Sequence, residues 1–420
     1  MKRITGLLAA TVLVATVLVV TGCSESIEKG AKAEPVASMV AVDFQKQLQE
    51  KLILAKPGDV IIIPRGTFEI NRGLSLKVDG VTLRGAGMTE SVLTFKNQTQ
   101  GAEGLIVNAD DIVLEGFAIE DAKGDAIKIN ECRNLIIRQV RVEWTDGPNE
   151  SNGAYGLYPV QCENVLIDGA VAIGASDAGI YVGQSKNVIV KNSHASYNVA
   201  GIEIENTIDA DVFDNVAENN TGGILVFNLP GLSQRGERTR VFRNKVINNN
   251  TDNFAPAGSI VAGVPTGSGI LINANDHVHI FENSFENNHT ANVIVSSYFS
   301  TEDDSEIENK DFDPYAEAIY IHSNSYVGGG EDPGSVELKA LKLAMYGLNG
   351  SFPDVIWDGF VNPAVIVDNK LPKQLAICVG DAESTLLNVD TPNGYANPNE
   401  DMANHRCELP PLKPVVLPFS

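Results

Sequence analysis

A chain of 420 residues, 43% hydrophobic and 6% aromatic, is long enough for a large core or an extended solenoid, so length alone sets no domain count. Its 54 acidic against 31 basic residues leave a net charge of −23, which repels phosphate backbones and argues against nucleic acid as a partner. The same charge repels polyanionic sugars unless a local basic patch or a bound cation intervenes.

Residues 1–22 read as a targeting segment: MKRITG supplies positive charge and LLAATVLVATVLVV an apolar run of signal-peptide length. VTGC follows at 20–23 and resembles the bacterial lipobox, which implies lipidation of Cys23. Ser24 after it implies delivery to the outer membrane, facing the periplasm or the exterior. An ordinary signal peptide that happens to contain Cys23 is the alternative. Residues 23–42 have little to bury and read as a tether. Export leads to an oxidising compartment, where Cys132, Cys162, Cys378 and Cys407 form an even set.

The folded part begins with Phe44, Leu48 and Leu52 at helical spacing, an amphipathic N-terminal cap. PGDVIIIPRGTFEI starts the first coil. Short apolar stretches then recur as AIKI (126–129), GLYPV (156–160), GIYV (179–182), GIEI (201–204), GILV (223–226), GILI (269–272) and NVIV (292–295). AIYI (318–321) is expected to continue them. Most steps are 22 or 23 residues, and such a period marks a solenoid. NVLIDG, NVIVKNS, DVFDN, RVFRNK and HIFENS alternate apolar and polar residues between them, as half-buried strands do. Three short strands per coil with no room for a helix predict an all-β, single-stranded parallel β-helix over residues 43–330. Asn192, Asn215, Asn244 and Asn283 each follow the second strand and are expected to form a coil-to-coil ladder.

Two long intervals hold insertions, NLPGLSQRGERT (228–239) with NFAPAGSIVAGVPTGS (253–268), and STEDDSEIENKDFDPY (300–315). The second is a candidate calcium loop, though it lacks the spaced DxDxDG pattern, and a solvated charge run is the better reading. DPGSVELKALKLAMYG (332–347) predicts a helix ended by Gly347, and the Pro- and Asn-rich remainder of 331–420 a tail wrapping the last coils.

These repeats, with the entry KPGDVIIIPRGTFEI, resemble right-handed parallel β-helix proteins of the pectin-lyase-like superfamily, including alginate epimerases and NosD copper-site accessory proteins. They most resemble bacterial β-helix repeat lipoproteins of unestablished function. That resemblance implies right-handedness and an exported dihaem cytochrome as a partner. The NTD…DD…GHG…RIK series of polygalacturonases and the DPHD stretch of alginate epimerases are absent, which leaves catalysis open.

With the first large apolar residue of each repeat inward, Lys128, Tyr158, Tyr181, Glu203, Leu225, Leu271, Ile294 and Tyr320 form an outward column. Asn130, Val160, Gly183, Glu205, Phe227, Asn273, Ser296 and His322 form a second one two residues on. Lys128, Tyr158, Tyr181, Glu203, Glu205 and Asn273 are therefore the candidate ligand-binding set, with Glu203, Glu205 and Tyr181 as catalytic candidates. His277 and His279, in phase with an inward Phe281, are weak metal candidates without an evident third ligand. Three functions stay open: binding a glycan or envelope protein, polysaccharide lysis, epimerisation or hydrolysis, and metal-centre assembly. Cys132 and Cys162 share one register in consecutive coils, as a disulfide or a reduced pair, and Cys378 would pair with Cys407.

Overall fold

The computed structural model describes residues 41–300, 312–368 and 371–419. The signal segment, Cys23, nearly all of the tether and residues 301–311 of the acidic insertion lie outside them. Within the unit Val40–Ser420 the described residues wind through three parallel sheets of eleven, eleven and ten strands. We call the sheet holding Ile127–Asn130, Tyr155–Val160, Ala178–Gly183 and Ala200–Glu205 the first. The second holds Arg133–Arg138, Glu163–Asp168, Lys186–Lys191 and Ile208–Phe213, and the third holds Arg141–Glu143 and its neighbours. One coil takes a strand from each.

Inward residues are aliphatic almost throughout. Leu157, Ile180, Ile202, Ile224 and Ile270 stack in register and are fully buried. No single coil could bury its own stripe; each stripe is covered by the coil before and after. The helix Ala41–Leu54 closes the N-terminal end, burying Phe44, Leu48 and Leu52 as expected. The second helix, Val336–Tyr346, is capped by the Ser335 side chain, which accepts from the Leu338 N–H. Gly347 follows at φ 72, a left-handed value that favours glycine.

Four expectations are corrected. The strand Ile319–His322 belongs to the second sheet, where Tyr320 pairs with His279. Tyr320 and His322 therefore leave the outward columns, and Val355–Trp357 takes that place beside Ala291–Ser296. Strands continue as far as Leu386–Asn388, so the β-helix does not stop at residue 330. Asn192 is exposed and bonds Asp168; the ladder position in its coil is Ser193, whose N–H donates to Asn215 Oδ1. The ladder then runs Asn215, Asn244, Asn283, Asn324, each Nδ2 donating to the next Oδ1 at 3.0 Å. A parallel ladder through Asn198, Asn220, Asn249 and Asn288 was not foreseen. Lastly, Phe281 does not point inward. Val278 and Ile280 do, while Phe281 stacks on Phe242, and Phe242 on Phe213, outside the sheet.

Both cysteine pairs are disulfides. Cys132 and Cys162 sit on adjacent coils with Cα atoms 4.5 Å apart, and Cys378 joins Cys407 at 5.0 Å.

Candidate functional site

Five of the candidate residues come together on the outer face of the first sheet. Register pairs Lys128 with Tyr158, Tyr181 with Glu203, and Gly183 with Glu205 on successive coils. The Lys128 ammonium lies 4.7 Å from the Tyr158 ring centroid and 3.3 Å from an Asp125 carboxylate oxygen. Tyr181 leans across Gly183, where any Cβ would fall 2.0 Å from its hydroxyl oxygen. That hydroxyl donates to Glu205 Oε1 at 2.5 Å on the next coil.

Three participants escaped the sequence reading: Tyr155, Asp125 and Asp177. Tyr155 stacks on Tyr158 at 4.3 Å between centroids and lies 4.8 Å from Tyr181. Its hydroxyl hydrogen-bonds Asp177. Simple alternation from an inward Leu157 would turn Tyr155 inward too. Gly156 breaks the alternation: a Cβ there would meet the core residue Val142 at 2.7 Å, so its position faces the core like Leu157, and both tyrosines face out. Asp125 and Asp177 lie in the same corners, just before their strands, where two-residue periodicity does not apply. The tyrosine spacing was the available signal, obscured by that break.

The face is only partly open. Tyr155, Tyr158, Lys128 and Glu205 are half-buried, whereas Tyr181 is 3% and Glu203 2% exposed. From Leu225 onward the column is sealed. Leu225, Phe227 and Leu271 pack with Leu229, Val261 and Val264 of the first insertion pair into one apolar cluster. This corrects the expectation of an open sheet, because these apolar outward side chains are better covered than solvated. Asn273 is buried in that sealed part, accepting from the Ser296 hydroxyl at 3.4 Å, and does not join the other candidates.

Burial sets the protonation of the cluster. Desolvation first, and then repulsion from Glu205, pushes Asp177 up to about 7. Desolvation, then Asp177 and Glu205, holds Glu203 well above the usual carboxylate range. Glu205 is also raised by burial, with its hydrogen bond from Tyr181 pulling the other way. Desolvation and the surrounding carboxylates raise Tyr158 to about 12 and drive Tyr155 and Tyr181 higher, so none of the three serves as a tyrosinate base near neutrality. Glu203 Oε2 is buried without a hydrogen-bond partner.

His277 and His279 are not joined by a third ligand among the described residues. His277 occupies a left-handed corner, φ 54, in line with Asn187, Asp209 and Arg238, while His279 is buried edge-on to Tyr320. Among the described residues no group of three histidine, cysteine or carboxylate side chains is spaced to hold a metal ion.

The family model described as the right-handed beta helix region matches residues 103–264 and 149–312, together half of the chain. No curated protein matches. Solved structures similar to the chain include the A-module of the Azotobacter vinelandii mannuronan C-5 epimerase AlgE6, at 14% identity and TM-score 0.48, covering 81% of this chain and 88% of that one. An alginate lyase from Paenibacillus sp. is 15% identical with TM-score 0.41, covering 67% and 93%. The Streptococcus pneumoniae surface protein and adhesin PfbA is 14% identical with TM-score 0.43, covering 76% and 84%.

Proposed function

Because the chain belongs to the right-handed β-helix family, a fold that hosts unrelated chemistries, we propose its function from the site alone: it binds a glycan on the first sheet. The observation that carries this reading is the Tyr155–Tyr158 stack, half-exposed beside Lys128 and Asp125 and backed by Tyr181. Flat rings cover the C–H faces of a sugar, and charged groups held at fixed register bond its hydroxyls. A rigid sheet keeps that geometry without a cost in ordering on binding. Titration of purified protein with oligosaccharides tests it. Tyr158→Ala should weaken the bound glycan at least tenfold while the thermal melt is unchanged; a protein that binds no oligosaccharide ends the reading.

Hydrolysis is the second reading. Glu203, buried next to Glu205 and held by burial above the usual carboxylate range, has the character of a general acid. Release of reducing ends, abolished by Glu203→Gln with binding retained, would support it over binding alone. Lysis or epimerisation through a tyrosinate has less support, since burial, and after it the neighbouring carboxylates, keeps the tyrosine hydroxyls protonated.

The proposal includes export and a lipid anchor at Cys23, supported by the apolar run before VTGC. Mass spectrometry of the mature N-terminus should find a diacylglyceryl-modified Cys23; an unmodified chain starting elsewhere ends that part.

A further inference from the structure

Resting on the glycan reading, we propose that this site takes a glycan without carboxylates, neutral or amine-bearing, and discriminates against polyuronates. The argument starts from the charges. Asp125, Asp177, Glu203 and Glu205 act on one another and on the three tyrosines, and the charges that act most strongly on Tyr155, Tyr158 and Glu203 are carboxylates. The basic group at the site is Lys128, already engaged by Asp125 at 3.3 Å and by the Tyr158 ring. A uronate carboxylate laid on these tyrosines would lose water and gain four acidic neighbours, with one shared ammonium to offset them.

The second observation is Glu203 itself. It is 2% exposed, and its Oε2 has no hydrogen-bond partner. Its neighbours at the site, Glu205, Tyr155 and Tyr158, are partly exposed, and the carboxyls of the cluster are best served by ligand groups that carry a hydrogen, such as a sugar hydroxyl or an ammonium. A uronate carboxylate brings none and adds its own charge to the cluster.

The test is calorimetric titration of the full chain at neutral pH and physiological salt. The probes are cellohexaose, chitohexaose, the glucosamine hexamer, and the hexamers of galacturonate and mannuronate. At least one uncharged or amine-bearing hexamer should bind ten times or more tighter than either uronate hexamer. Glu203→Gln keeps the volume, removes the ionisable carboxyl and should narrow that ratio at least threefold; Glu205→Gln serves if Glu203→Gln does not fold. A uronate hexamer that binds as tightly as the others overturns the discrimination and leaves the glycan reading standing. An unchanged ratio in both variants overturns the role of the carboxyl cluster. Failure of every hexamer removes the glycan reading and this inference together.

Discussion

The backbone N–H of Val415 donates to the Asp211 carboxylate at 3.0 Å, across 204 positions of sequence. The same carboxylate takes the Arg240 guanidinium in a two-point bond. It thus pins a C-terminal strap that starts at the Cys378–Cys407 disulfide, packs Leu409 near Ala318 and Cys378, and seats Leu417 with Leu166 and Ile189. The strap crosses six strand spacings of the second sheet, roughly 29 Å. The ten residues from Cys407 to Leu417, drawn out as a Pro-rich segment, reach about 31 Å.

Leu417 is 2% exposed, so Leu417→Ala should cost about 2–3 kcal/mol, the low end for a buried leucine because an end segment can relax. Denaturant unfolding measures it. A variant as stable as the parent would show that the strap lies on the sheet without stabilising it.

Asn249 bonds Asn220, Asn288 and the Ala217 carbonyl and is fully buried. Asn249→Ala strands several buried groups and should cost about 2–4 kcal/mol. Asn192→Ala, on the exposed turn, should stay within about 0.5 kcal/mol. Equal losses would contradict the ladder assignment.

Stability should fall as pH rises from about 4 to 8. Burial raises Asp177 and Glu317 to about 7 and Asp276 to about 8. Across that interval the folded chain holds protons that the unfolded chain has released, so the contribution is complete below the unfolded carboxylate range and is lost as pH climbs. His279, lowered by burial to about 4, acts oppositely: below its ordinary value near 6.5, acid favours the unfolded chain. Melts of Asp276→Asn across the range should show a flatter decline; an identical profile would rule Asp276 out as a source.

Unfolding without reductant should expose no thiol from Cys132, Cys162, Cys378 or Cys407. Reduction should lower stability by about 3–4 kcal/mol per bridge, given loops of 30 and 29 residues. Peptide mapping with differential alkylation checks the pairing, and labelled cysteines among these four would refute it.

Much of this was legible in the sequence. The 22-residue period carried the coils and the column Lys128, Tyr158, Tyr181, Glu203, because strand alternation holds within straight segments, and helical spacing carried the cap. It failed at corners. Tyr155 opens its strand, Asp125 and Asp177 just precede theirs, and Asn192 stands one place from the ladder because the turn holds two residues. Tyr320 was misplaced because strands of the first and second sheets bury alternate residues in the same way. Once the 300–315 insertion breaks the count, pattern alone cannot say which sheet a strand enters. The sealed half of the first sheet depends on Val261 and Val264 folding back from a long insertion, a tertiary contact with no local signature.

That seal has a directional consequence. On the glycan reading, a linear chain lying along the tyrosine strip from Lys128 toward Glu203 would meet the apolar cover at Leu225. Such a stop would favour chain ends over chain length: cutting a polymer in two would double the number of sites it presents, with no change in its mass.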